Sequence, residues 1–177
     1  MTADLDDYRV FDPGVYGPLH EASRKEAHAH HEKLMAEKEE RKDQLAELLS
    51  RHGVEFGNDN RSVQECNDWF RAAVEEDPDN RGRLAPVWYS IVNDIGLYLG
   101  DTLIERAPSL HWELFTGGKG DAAYQRPVIM GFAVKNPKFN VDFDHLVGVY
   151  GHNVVRGAEV EPDRFVAALR SAEAKAA

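Results

Sequence analysis

The sequence predicts an α+β fold, with helices packed on a small antiparallel sheet and a long N-terminal helix in front of them. Three observations predict it. Residues 19–52 are rich in Ala, Glu, Lys, Leu and Arg, with no internal Gly or Pro, which is the composition of one long helix. Residues 86–106 carry Trp88, Ile91, Val92, Ile95, Leu99 and Leu103 as a broad apolar helical stripe. Residues 110–116 and 127–135 alternate as strands, and the GGKGDAAYQR link between them is too short for a crossover helix, so they pair antiparallel.

The elements follow in order. Residues 1–17 hold Pro13, Gly14, Gly17 and the spaced aromatics Tyr8, Phe11 and Tyr16, which predicts an extended arm, its rings available to anchor it to the core or to another subunit, with a partly ordered tail as the alternative. The long helix, taken as residues 18–53, ends at Gly53 and would reach about 50 Å at the usual rise per residue. Leu45, Ala46, Leu48 and Leu49 give its last third a core-facing stripe. Upstream of Leu34 it reads as polar all round, so the helix is expected to protrude in part.

Residues 54–61 form a turn-rich link. Ser62 and Glu65 then have the spacing of a capping box, followed by Val63, Cys66, Trp69, Phe70, Ala73 and Val74 on one face. Pro86 fits the first turn of the next helix. Gly96 and Gly100 lie one turn apart inside it, and close approach by another backbone is the compensation their presence implies. Residues 144–155 read as a short helix in preference to a third strand. Residues 162–174 make a final helix with Phe165, Val166 and Leu169 inward. The α+β core therefore spans 54–171, and residues 172–177 are expected to fray.

Composition narrows the function classes. The 177-residue chain has a net charge of −10 with histidine neutral, a field that repels nucleic-acid phosphates and anionic membrane. Cys66 is the single cysteine, so no intrachain disulfide forms, and the acidic N-terminal stretch lacks the layout of a secretory signal. These features predict a cytoplasmic protein.

Candidate chemistry is sparse. His28 and His31 share a helix face, as do His28 and Glu32, which makes these three the metal candidates. The HAHHE order is not the HExxH of metalloproteases, and the polar surroundings favour a solvated face. His145 and His152 lie two helical turns apart, with Asp142 and Asp144 nearby as acid–base partners. The GGKGD run has its lysine misplaced for a phosphate loop and reads as a hairpin connection. Trp69, Trp88 and Trp112 read as core. Asp94, Asp101 and Glu105 read as the solvated edge of their helix. No catalytic residue, cofactor-binding residue or cofactor is assigned.

The run from Gly96 to Ile104, GLYLGDTLI, followed by Leu110-His111-Trp112 and a strand led by Pro127, resembles small bacterial domains of unknown function. Their helix carries an aYLGEvl-type phrase and a tryptophan opens the next strand. The resemblance covers residues 88–137 and departs at Asp101, where those domains often have glutamate. It implies an α+β domain and carries over no catalytic residues.

Two functional classes fit. The leading one is a non-catalytic protein-interaction module, of an immunity- or inhibitor-like kind, in which the long helix and arm supply a surface for a protein partner or for a homodimer. The other is a small hydrolase-like or metal-dependent enzyme with a site near the sheet edge, using His145, His152 or Glu113. A pocket with titratable groups in mutual hydrogen-bond range would favour the enzyme, and an exposed apolar patch the module.

Overall fold

The computed structural model describes residues 4–176. Its elements are α1 (Arg24–Arg51), α2 (Asn60–Ala73), α3 (Pro86–Arg106), β1 (His111–Leu114), β2 (Pro127–Met130), α4 (Phe143–Val155) and α5 (Arg164–Ala176). The fold is α+β. β1 and β2 are antiparallel, with Trp112 opposite Ile129 and Leu114 opposite Pro127. Val141 adds a single bridge to Ile129, so the sheet has one residue of a third strand.

Helix α3 is the hub, packing against α1, α4 and α5. Its interior position follows from its sequence. Trp88, Ile91, Ile95, Leu99 and Leu103 are fully buried, and Pro86 starts the helix where no N–H is needed. The two glycines are contact points. A Cβ on Gly96 would lie 2.9 Å from the backbone N of Asp144, where α4 begins. A Cβ on Gly100 would run into the indole of Trp112, which folds over it from β1. The small residues therefore seat one helix and one strand on α3.

Several boundaries differ from the sequence reading. α1 begins at Arg24, after an isolated 3₁₀ turn at Leu19–Glu21, because Ser23 and Glu26 form a reciprocal capping box. Nor does the upstream part of α1 stand clear of the core. Ala27, His30 and Leu34 are buried beside Arg41, Leu45, Leu48 and Leu49. At α2 the cap is Asp59, whose carboxylate accepts from the backbone N–H groups of Arg61 and Ser62, so Ser62 lies inside the helix and donates its hydroxyl to the same carboxylate. β2 stops at Met130 because Gly131 takes φ +98°, closed to most side chains.

The segment 144–155 is helical, capped by Asp142, which accepts from the His145 N–H at 2.9 Å. The expected fraying of residues 172–177 is not seen through Ala176. Ala172 is buried, and the Lys175 carbonyl accepts from Ala133 N–H at 3.0 Å. Residues 1–3 of the predicted arm and residue 177 of the tail lie outside the described residues.

Cys66 is fully buried, and desolvation pushes its thiol up to about 12. A thiol reagent at neutral pH is expected to leave the native protein unmodified and to label one cysteine per chain after denaturation. Labelling at the rate of free cysteine without denaturant would contradict the packing.

Candidate functional site

The N-terminal arm wraps the body and forms one wall of a groove. Its first anchor is a buried polar cluster between α1 and α3. The Arg41 guanidinium donates to both Asp94 oxygens, at 2.9 and 2.6 Å, and also to the Ser90 hydroxyl at 3.1 Å. From the arm, the Tyr8 hydroxyl donates to Asp94, the Arg9 carbonyl accepts from Arg41 at 2.6 Å, and the Phe11 N–H donates to Ser90 at 2.8 Å. Arg41 also lies over the Tyr8 ring, 5.4 Å from its centroid. Burial and the Asp94 charge raise the Tyr8 phenol, which holds it as an O–H donor. Burial likewise raises the Asp94 carboxyl, against the pull of Arg41 and Tyr8.

The second anchor is Gln125, at the end of the hairpin loop. It sits at φ 62°, uncommon for a residue with a side chain, and its amide donates to the carbonyls of Leu19 and Ala22 at 2.7 and 2.8 Å. Between the anchors, Pro13 O meets His30 Nδ1 at 3.0 Å. Residues 12–18 thus form a strap fastened at both ends and again at Pro13.

The groove lies between the strap, α3 and α4, with a volume of about 640 Å³. Its walls include Val10 and Leu19 from the arm, Tyr89 and Val92 from α3, and Gly148 and Val149 from α4. Its polar groups are His30, Asn93, Arg126, Asp144, His145 and His152. A second hollow, of about 550 Å³, runs along the other side of α4. His145 and Val149 border both, so the outer face of α4 is a ridge with a groove on each flank.

The two histidines paired by spacing are therefore brought to one groove. They are not joined to a carboxylate. His152 Nδ1 is 3.2 Å from the Gly82 carbonyl, and Asp142 and Asp144 are engaged by Arg126, with Nη2 donating to Asp144 at 2.6 Å. Glu113 lies elsewhere, exposed on β1 and 3.1 Å from His111 Nε2. Ser90, the aliphatic hydroxyl among the groove residues, accepts from Phe11 N–H and from Arg41.

The metal candidates are not gathered into a binding group. His28 and Glu32 are exposed, while His31 is half-buried with a buried, unpartnered Nδ1. Among the described residues no three His, Cys, Asp or Glu side chains are placed to hold an ion. Burial, with His30 and His28 adding to it, lowers the His31 pKa.

Asp94 and Asp101, read as solvated, are instead buried. The reason is a row of cations on the facing helix. Asp101 accepts from Lys38 at 2.8 Å, Lys42 at 2.6 Å and the Trp112 indole at 2.8 Å. Glu105 alone of the three is exposed, accepting from Asn58 at 2.8 Å. Lys38, Arg41 and Lys42 share one face of α1, and Asp94 and Asp101 lie seven residues apart on α3, so the pairing had a signal in the spacing.

Burial alone would raise the Asp101 carboxyl, but its donors outweigh burial and hold it below the usual range. A carboxyl depressed in the fold adds stability above its unfolded pKa, and that stability is lost as pH falls through the folded value. Asp101→Asn is expected to flatten the acid limb of the stability–pH curve in denaturant titrations. An unchanged acid limb would mean that Asp101 is ordinary in the fold.

Comparison with protein-family models, with curated proteins and with solved structures gave no match to this chain. No helix among the described residues is long and apolar enough to cross a membrane.

Proposed function

We propose that the chain is a non-catalytic, cytoplasmic protein-interaction module that docks its partner along the outer face of α4 and the groove under the strap. One observation carries this reading. The large hydrophobic side chains left exposed among the described residues are Val10 at 56%, Tyr16 at 93%, Tyr89 at 45% and Val149 at 45%. Val10, Tyr89 and Val149 line the groove, and Tyr16 sits on the strap between the lining residues Val15 and Gly17. Concentration of exposed apolar side chains at one concave face, rimmed by polar groups, is the usual mark of a docking surface.

The polar geometry supports the same side. A hydrolase needs a nucleophile held by a base and the base held by an orienting group. Here Ser90 is occupied by the arm, and among the described residues no histidine ring of the groove is hydrogen-bonded to a carboxylate. The net charge of −10 supports an inhibitor- or immunity-like role by steering a basic partner towards the chain. The long helix and arm, named above as a surface for self-association, are partly consumed within the chain, which moves the docking face to α4.

Photo-crosslinking in living cells tests the reading. A benzophenone side chain at position 149 is expected to give a discrete adduct with a protein, and the same group at Glu47, exposed on α1, is expected not to. An adduct of two chain masses would identify a second copy as the partner. Absence of any adduct at 149, or an identical pattern from both positions, counts against the module.

A further inference from the structure

The acceptor chemistry of the groove specifies what enters it. His30 is 8% exposed, and its Nδ1 lies 3.0 Å from the Pro13 carbonyl. A carbonyl only accepts, so Nδ1 donates, and in that tautomer Nε2 is the acceptor of the ring. His152 repeats the arrangement, with Nδ1 on the Gly82 carbonyl at 3.2 Å. Asn93 donates one of its two amide N–H groups to Asp94 Oδ1 at 3.2 Å and offers its oxygen as an acceptor. Three side chains from α1, α3 and α4 thus each bring an acceptor to one groove.

The charges agree. Arg126, the guanidinium of the groove lining, is paired with Asp144 in the same lining and with Asp142 outside it, so it presents no unmatched positive charge. The Tyr89 ring, 45% exposed and 5.9 Å from the His152 ring, offers its face beside these acceptors. An anion would meet lone pairs and a carboxylate here. A cation bearing several N–H groups would meet acceptors and an aromatic face, with Val92 and Val149 alongside for an aliphatic stem.

We infer that the groove receives a basic side chain, lysine or arginine, presented by an apolar segment of the partner protein. The inference rests on the docking face proposed above and adds the chemistry of its occupant. The net charge of −10 supplies the long-range attraction for such a partner, and the groove supplies the local selection.

The test uses the full chain with ¹⁵N-labelled histidine and follows the imidazole nitrogens by NMR. The probes are acetyl-Gly-Leu-Lys-Leu-Gly-amide, its arginine and norleucine counterparts, and free n-butylammonium. The lysine or arginine peptide is expected to move the Nε2 signals of His30 and His152 saturably, with affinity at least about tenfold above the norleucine peptide. Equal response to norleucine, or no response to any peptide, overturns the inference. Butylammonium binding as tightly as the peptides also overturns it, because the site would then serve a small amine. His152→Phe is expected to lose at least about tenfold in affinity for the basic peptide, and unchanged affinity overturns the inference. Should His152→Phe fail to fold, Tyr89→Leu, at an exposed position, gives the same reading through loss of the aromatic face. Crosslinking at 149 without selection for the basic peptides would leave the docking face standing and remove only its proposed chemistry.

Discussion

Arg41→Met is expected to lower the unfolding free energy by about 3–5 kcal/mol in equilibrium denaturation, the largest effect of any charge substitution in this chain. The guanidinium is 3% exposed and its partner Asp94 0%, so its removal leaves a carboxylate without water or cation. The change also strips the Arg9 carbonyl of its donor and so loosens the arm. Adding Asp94→Asn to Arg41→Met is expected to recover part of the loss, because the stranded charge is removed. A cost below about 1 kcal/mol, typical of an exposed pair, would show that water reaches Asp94. Equal losses in the single and double variants would show that packing, not charge, sets the cost.

Gly96→Ala is the second large effect, at about 1–3 kcal/mol or more. The added methyl would meet the Asp144 backbone at 2.9 Å for N and 3.0 Å for Cα, and a backbone at a capped helix start cannot turn aside as a side chain can. α4 must shift, taking Asp144, His145 and one wall of the groove with it. Gly148→Ala is the matched control. Its nearest neighbour would be Val92 Cγ1 at an ordinary 3.7 Å, so helix propensity decides and the variant is expected to gain up to about 1 kcal/mol. Denaturation midpoints of the two variants should therefore move in opposite directions. Destabilisation by both would mean that α3 and α4 tolerate no added carbon anywhere along their contact.

Much of this architecture was legible because it rests on local signals. Pro86 at the first turn marked the start of α3, and the glycine pair announced close neighbours that proved to be Asp144 and Trp112. The short link between the strands fixed their antiparallel pairing. The misplaced starts of α1 and α2 came from caps. Ser23 and Glu26 form a box that the composition of the stretch obscured, whereas Ser62 and Glu65 have the box spacing without the role, because Asp59 accepts the free N–H groups first.

The site was legible only in part. Two turns of spacing put His145 and His152 on one side of α4. The opposite wall was hidden, since it depends on an arm held by residues tens of positions away and on His30 turning inward to meet Pro13. The aspartates on α3 were misread for a related reason. A carboxylate in an apolar helix is solvated or buried according to what faces it, and here Arg41, Lys38 and Lys42 face it.

The arm also constrains the order in which the chain assembles. Tyr8 meets Asp94 across 86 positions of sequence, so on the ribosome the arm, made before α3, has no seat until α3 has emerged. During that interval Tyr8 and Phe11 remain in water and Arg41 lacks its carboxylate partner. Locking of the arm thus marks a late event in biogenesis, and a fusion or tag that delays it would prolong exposure of an unfinished core to chaperones and proteases.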